Sequence, residues 1–579
     1  MKHWLPLLAV VALSVAHNTH AQTVTARGMV FHDRNHDGIR QAGEEGIPGV
    51  AVSDGQQVIR TDDHGTYTLE INDEDTILFI VKPRGYQVTI DRLNLPRYYY
   101  IHKPQGSPDD NFIFPGVEPT GPLPEMINFP LYPVEEPEDF TIIAFGDPQP
   151  YSRQQIDFFR REVIDPLTDH NGNTVGAAFG ISLGDLVGDN LAYFELLNQA
   201  QALLGVPWYN VLGNHDMNFM SGSTDQTKTD PDKYSDETME RVYGPLTYAF
   251  QYGKVHFILM DNVKYNGFTG YLDGTYEDWP DGKRSRPGNY ESCFRDDQLA
   301  FIENYLSIVP KDDLIVLGFH IPLNSADGQH KIPQTDRLMQ ILSGHPHTLS
   351  ISGHTHYQKQ TFLGEETGYK PDPALGKLNQ HVLNDAARFP KAIHHHDNLV
   401  TVSGSWFGGT LDEEGVPHTT MRDGAPNGYT LIHFEGNRYR TEFRAARRPA
   451  SHQMTLTVTE PAADDQPAFL YANVFRGVQG DKVQTRLRFG PTTQRAPTPW
   501  KDMTYTEEKD PLYLQLRERQ KNIPAEARSN GLIANTQTSY HLWKTPLPNN
   551  LPKGTHALEV RHTDLFGQVN IDRYTIRVD

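Results

Sequence analysis

The middle of the chain is built from short, continuous apolar runs that stop abruptly at polar residues able to bind ligands. "FTIIAF" precedes Gly146-Asp147-Pro148-Gln149, "GAAFGISL" precedes Gly184-Asp185, and "VPWYNVL" precedes Gly213-Asn214-His215-Asp216. "DDLIVLGF" leads to His320, and "TLSI" leads to Ser352-Gly353-His354-Thr355-His356. Short apolar runs bounded by turn residues read as strands buried on both faces, as in a parallel sheet. Residues just past the carboxyl ends of such strands face the crevice where ligands bind. Five strand ends are therefore expected to bring Asp, Gln, Asp, Asn, His and a His pair toward one place.

The flanks follow a different period. "GVAVSDGQQVIRTDDHGTYTLEI" alternates apolar and polar residues, with turns at Asp54-Gly55 and His64-Gly65, which predicts half-buried strands. Beyond Pro449 the runs "MTLTVTE", "FLYANVF", "KVQTRLRF", "HALEVRHT" and "NIDRYTIRV" predict a second set. "FPGVEPTGPLPEMINFPLYPVEEPEDF" reads as an extended strap. The expected layout is a signal peptide at 1–21, an N-terminal β-sandwich at 22–110 and a Pro-rich linker at 111–138. A central domain at 139–448 and a C-terminal β-sandwich at 449–579 complete it.

A length of 579 residues agrees with about three domains. The formal net charge of −21 argues against a nucleic-acid polymer as partner. From Ser451 onward 16 Lys and Arg meet 14 Asp and Glu, so the acidity lies upstream. Lys2, the run "WLPLLAVVALSVA" and "THA" before Gln22 have the order of an export signal, which predicts a periplasmic or extracellular protein. The apolar run is too short to be a permanent transmembrane helix. With Cys293 as the single cysteine, no intramolecular disulfide can form, and core packing must hold the domains.

The donor set of carboxylates, amide oxygens and imidazoles suits a pair of borderline divalent cations. The series Asp147/Gln149, "GDLVGD", "GNHD", His320 and "GHTH" resembles the calcineurin-like metallophosphoesterases. Their pattern is D-x-H, GDxxD, GNH[DE], a lone His and GHxH, in that order. The three-part layout is similar to the branch with dedicated N- and C-terminal β-domains. The resemblance implies a multidomain protein: a central α/β metallophosphoesterase β-sandwich flanked by helices, an N-terminal prealbumin-like β-sandwich and a C-terminal all-β sandwich. It implies two divalent transition metals (Mn, Fe or Zn, with Mg as an alternative). Asp147, Gln149, Asp185 and His356 would hold the first, and Asp185, Asn214, His320 and His354 the second, with Asp185 as bridge. It further implies attack by a metal-bridging hydroxide, His215 as general acid and Asp216 as the carboxylate that orients it.

Two positions depart from the pattern. Gln149 replaces the usual His: either it puts a harder, neutral oxygen at the first metal and shifts preference from zinc toward manganese or magnesium, or it does not ligate at all. Gly188 stands where the last Asp of GDxxD usually falls, and Asp189, one place later, reads as a supporting residue. "SGHPH" at Ser343–His347 also fits GHxH, but it follows the helix-like "TDRLMQIL", so His345 and His347 read as surface or loop residues. His394, His395 and His396 read as a solvated loop sooner than a metal-binding tract, since no partner ligands are spaced around them. "VSGSWFGG" and "TTMRDGAPNGY" resemble segments of the same branch. They offer Trp406, Phe407, Arg422, Asp423 and Asn427 either as pocket residues or as turn and core residues.

"DRNHDGIRQAGE" at Asp33–Glu44 fits the calcium-loop pattern, with Asp33, Asn35, Asp37, the Ile39 carbonyl and Glu44 as ligands and Gly38 permitting the sharp turn; an acidic turn of the Asx type is the alternative. The expected function is an exported phosphohydrolase acting on a small phosphate ester, such as a phosphorylated glycan or lipid head group. A phosphodiesterase is placed ahead of a phosphomonoesterase by analogy with the family. A non-catalytic surface or glycan-binding protein is the competing class. It would show a decayed metal set, whereas Asp147, Asp185, Asn214, His215, His320, His354 and His356 are all present.

Overall fold

The computed structural model describes residues 23–578 except 109–111, 169–174, 222–229, 273–278, 280–282, 285–288, 324–331, 365–391, 461–466, 491–494, 549–550 and 565. The expected signal peptide at 1–21 lies outside the described residues.

The central domain is two sheets packed face to face. The first has the strand order 208–211, 177–183, 139–145, 428–435, 438–445, and its first three strands are parallel. The second has the order 248–252, 255–259, 314–318, 348–352, 392–398, 359–364, with a parallel run from 255–259 to 392–398. Successive side chains of a strand point to opposite faces, and the strand Asp139–Phe145 shows the result. Ile142 and Ala144 enter the core shared with Phe257, Val316 and Ile351 of the second sheet. Ile143 and Phe145 enter a separate core with Phe158, Phe159 and Leu197 of the covering helices Arg153–Phe159 and Phe194–Ala202. On the far side of the second sheet lie the helices Asp296–Leu306 and Thr335–Leu342. Both faces of the parallel strands are thus covered, which is why they read as unbroken apolar runs.

The N-terminal module pairs a five-stranded sheet with a four-stranded one. It extends past the expected boundary. Phe129–Pro133, inside the segment expected to be a Pro-rich linker, is a strand between 23–32 and 86–90. Phe129 and Leu131 point into the module's core; the density of prolines hid this period of two. The module is fixed to the central domain by a shared apolar core that includes Phe79 against Phe301, 5.6 Å between ring centres. A buried ion cluster adds to this, in which the Lys103 ammonium lies 2.5 Å from Glu237, 3.1 Å from Asp75 and 3.4 Å from Glu240.

The C-terminal domain is two antiparallel four-stranded sheets closed around Trp543. One helix, Pro511–Gln520, is inserted between its strands, capped by the Asp510 carboxylate on the Tyr513 N–H at 2.7 Å. The helix reaches back to the central domain, where the Tyr513 hydroxyl meets the Ser405 hydroxyl at 3.0 Å.

Candidate metal centre

The carboxyl ends of the parallel strands of both sheets open onto one crevice, and all seven expected ligands stand there. Their backbone is unusual. Asp147, Gln149, Asp185, Asp189, His354, His356, Trp406 and Phe407 all have positive φ, between 40° and 78°. Non-glycine residues avoid that region, so its concentration around one crevice marks strain held by the surrounding fold. The sharp turns also need glycine. At Gly213 and Gly353 a Cβ would lie 2.3 Å from an Asp185 carboxylate oxygen and 2.4 Å from an Asp147 one.

The side chains sort into two groups about Asp185. In one, Gln149 Oε1 lies 3.0 Å and Asp147 Oδ1 3.7 Å from His356 Nε2. In the other, His320 Nε2 lies 3.0 Å from Asn214 Oδ1, 3.2 Å from His354 Nδ1 and 3.2 Å from Asp185 Oδ2. Asp185 Oδ2 also lies 3.4 Å from Gln149 Nε2, so it faces both groups. Ligand atoms of Asp185, His320 and His354 all fall within 4.8 Å of one another.

These residues fit a pair of cations. The Nδ1–H of His320 donates to the Leu183 carbonyl at 2.7 Å, and that of His356 to the Gly404 carbonyl at 2.5 Å. Each bond fixes the tautomer and leaves Nε2 with its lone pair toward the crevice. Asp147 Oδ2 accepts the His354 backbone N–H at 2.7 Å, while its Oδ1 is buried without a partner. A buried carboxylate oxygen left over in this way calls for a positive group. Electrostatics agree. Burial pushes Asp147 up to about 7, while burial together with the neighbouring imidazoles holds His354 and His356 down at about 3, neutral and able to donate a lone pair. Asp185 carries the charge of the site: against burial, the imidazoles hold it below its ordinary value, and it raises His320 to about 9, so a cation taken there has to displace the Nε2 proton of His320.

The partner of His215 differs from the expected one. Its Nδ1 contacts Asp189 Oδ1, and Asp189 Oδ2 in turn accepts from the Arg284 guanidinium at 2.7 Å. Asp216, expected to orient the ring, instead accepts the backbone N–H groups of Leu186, Val187 and Gly213 at 2.9 to 3.1 Å. It holds the two ligand loops together, because the chain turns it away from the neighbouring imidazole. His215 itself is tied by its backbone N–H to Asp185 Oδ1 at 2.8 Å, and its ring is partly exposed to the crevice.

Of the five pocket candidates, two line the crevice. Trp406 stacks on His356 with ring centres 4.0 Å apart, and Arg422 stands beside it. The other three are structural. Phe407 is fully buried in the helix-side core. Asp423 binds the Gln358 N–H at 2.7 Å and His541 of the C-terminal domain at 2.8 Å. Asn427 is buried against Glu162 and the Val402 carbonyl. The crevice measures about 470 Å³, and Tyr290, Tyr357 and Gln537 complete its wall. A second recess of about 320 Å³ lies across Trp406, lined by Tyr151, Arg284, Ser405, Asn530, Leu532 and Ala534. Sequence reasoning missed Tyr151, Tyr290, Arg284 and Gln537. They follow no motif and come from separate loops, from the short strand Tyr290–Ser292 and from another domain.

His394, His395 and His396 form a buried strand, not a solvated loop. Every ring nitrogen has a partner within 3.3 Å: Thr348, Ser350 and Ser352 on the next strand, Tyr439 and Gln360 on the other side. Polar residues can fill a strand core when all their bonds are met. His345 and His347 lie at the opposite end of strand Thr348–Ser352 from the crevice. His345 is buried rather than at the surface, with its Nε2 3.2 Å from Lys311.

A crevice at strand ends with two sets of hard and imidazole donors sharing one carboxylate defines a dinuclear metal hydrolase. The sequence comparisons agree. The family model of calcineurin-like phosphoesterase matches residues 140–358, that of its N-terminal domain 34–115 and that of its C-terminal domain 396–569. The chain belongs to the calcineurin-like phosphoesterases, in the branch that carries both accessory domains, and is a metal-dependent phosphoester hydrolase. No curated protein matches it. Among solved structures, purple acid phosphatase PPD1 from yellow lupin (Lupinus luteus) seeds is similar at 12% identity and a TM-score of 0.35, covering 73% of this chain and 88% of that one.

Proposed function

We propose that this protein is an exported phosphodiesterase whose substrate carries a glycan or lipid head group. The observation that carries the diester reading is the pair of recesses meeting at Trp406, which gives each substituent of the phosphate its own space. Small phosphate monoesters need only one. The apolar start before Gln22 supports export, and a mature N-terminus at Gln22 in the secreted protein would verify it. Among the described residues no helix is long and apolar enough to cross a membrane.

The residues divide the chemistry among them. Asp147, Gln149, Asp185 and His356 would hold one cation, and Asp185, Asn214, His320 and His354 the other. A bound pair lowers the pKa of water and polarises the phosphoryl oxygens. His215 faces the crevice with Nε2 3.9 Å from Asp185 Oδ2 and outside hydrogen-bond range of it, and Asp189 on its Nδ1 keeps Nε2 protonated for delivery to the leaving alkoxide. Asp216 keeps the two ligand loops in register. Gln149 presents a carbonyl oxygen, so the first position suits manganese or magnesium, and the imidazole-rich second suits manganese, iron or zinc.

The test is hydrolysis of bis-p-nitrophenyl phosphate and p-nitrophenyl phosphate by protein of measured metal content, before and after chelation. The diester should be hydrolysed faster, with loss on chelation and recovery on adding manganese. A faster monoester would leave the metal site and overturn the diester preference. No hydrolysis of either would favour the binding-protein reading.

The N-terminal loop supports a calcium site. Asp33 and Glu44 are buried with no lysine or arginine paired to them among the described residues, and Gly38 takes φ 75° at the turn. Calcium should raise the Tm of the wild type relative to chelator, and D33A should remove that difference; an unchanged wild-type Tm would refute the site.

A further inference from the structure

Arg422 stands where the metal turn meets the C-terminal domain. Its backbone N–H donates to the His356 carbonyl at 2.8 Å, and its own carbonyl accepts from the Gln537 N–H at 2.8 Å. The Thr536 hydroxyl adds a bond to the same carbonyl at 3.3 Å. The residue is thus pinned between the backbone of a metal-site histidine and another domain. Its side chain is half-buried on the crevice wall with Gln149, His356, Trp406 and Gln537.

The guanidinium is nearly unused. Among the described residues it makes one hydrogen bond, from Nε to the Asn535 carbonyl at 3.4 Å, and no ion pair. The other arginine at the centre, Arg284, is neutralised by Asp189, and Arg447 and Arg476 elsewhere are paired with Asp412 and Asp397. Asp423, next in sequence, is turned away and occupied by Gln358, Ala425 and His541. A half-buried, unneutralised charge is costly unless something completes it. Its planar fork matches two oxygens of a phosphate or a carboxylate.

We infer that Arg422, with Gln537 beside it, forms a subsite for a second anionic group on the substrate, one that is not itself attacked. The inference rests on the phosphoester reading of the crevice and narrows it. The glycan or head group of the substrate carries its own phosphate or carboxylate. It also gives the C-terminal domain a part in recognition, because residues 535–537 set where the guanidinium stands.

The test uses the full-length, metal-loaded enzyme with bis-p-nitrophenyl phosphate and three competitive inhibitors. Methylphosphonate offers one anion, phosphonoacetate adds a carboxylate and methylenediphosphonate adds a second phosphonate. In the wild type at least one two-anion inhibitor should bind about 10- to 100-fold more tightly than methylphosphonate, the range of a charged hydrogen bond. R422A should erase that advantage and leave the methylphosphonate constant within about threefold; R422K should keep part of it. The inhibitor that loses more identifies phosphate or carboxylate as the recognised group. Equal weakening of all three would place Arg422 on the attacked phosphate, and no change would leave it without a ligand; either overturns the subsite. Metal content and Tm are measured for each variant, and R422Q provides the same comparison if R422A does not fold. Should the wild type hydrolyse no ester, the functional reading fails by itself, and calorimetric Kd values for the same three compounds decide the subsite.

Discussion

Replacing Asp189 with Asn removes the group that orients His215 and leaves every expected metal ligand in place. Asp189 is fully buried, and its two oxygens are divided between the His215 Nδ1 and the Arg284 guanidinium. An amide in that space can offer its oxygen to only one of these donors and must turn its NH2 toward the other. A hydrogen bond to a charged group contributes about 1.5–3 kcal/mol, so losing it as the imidazole donates its proton should lower kcat by about 10- to 150-fold. The assay compares an alkyl ester with a nitrophenyl ester, at measured metal content. A nitrophenolate leaves without a proton, so D189N should slow the alkyl ester strongly and the nitrophenyl ester little. Two results would refute the reasoning: equal slowing of both esters, or loss of metal from D189N. D216N is the contrasting variant. Asp216 accepts three backbone N–H groups and touches no imidazole, so D216N should lower Tm and metal occupancy and show no dependence on the leaving group.

Two further perturbations test the supports of the site. Burial, opposed by Arg447 and Asn427, pushes Glu162 up to about 8, against 4.5 for an ordinary glutamate. The folded state therefore binds more protons than the unfolded state between those values. Stability is complete below pH 4.5 and declines as pH rises toward 8. E162Q should match the wild type at pH 4.5 and exceed it by about 2–5 kcal/mol at pH 8, read as Tm against pH; parallel profiles would be a failure. K103M leaves Glu237 buried without its cation between the N-terminal module and the central domain. It should destabilise the protein by about 3–5 kcal/mol in chemical unfolding; a loss under 1 kcal/mol would show that the cluster holds nothing.

The sequence by itself determined the strands of the central domain and the residues at their ends. Buried parallel strands must be apolar throughout, and polar residues that interrupt them at the crevice end stand out against that background. The five motifs and the choice of His354 and His356 over His345 and His347 were legible for this reason. Strands of the two outer modules were legible from their period of two. Tertiary structure decided everything that depends on which face a side chain takes after a tight turn. Asp189 and Asp216 are both near His215 in the chain or the fold, yet only the positive φ at Asp189 aims its carboxylate at the ring. Phe407 and Trp406 are adjacent, and one turn sends the first into the core and the second onto His356. The buried strand of three histidines needed the hydroxyls of a neighbouring strand to be tolerable, and the strand Phe129–Pro133 needed two partners from elsewhere in the module. Arg422 acquires its place only because residues 535–537, more than a hundred positions away, hold its backbone against the metal turn. Long-range pairing has no local signal in the amino-acid order, and that is where this site acquires its walls.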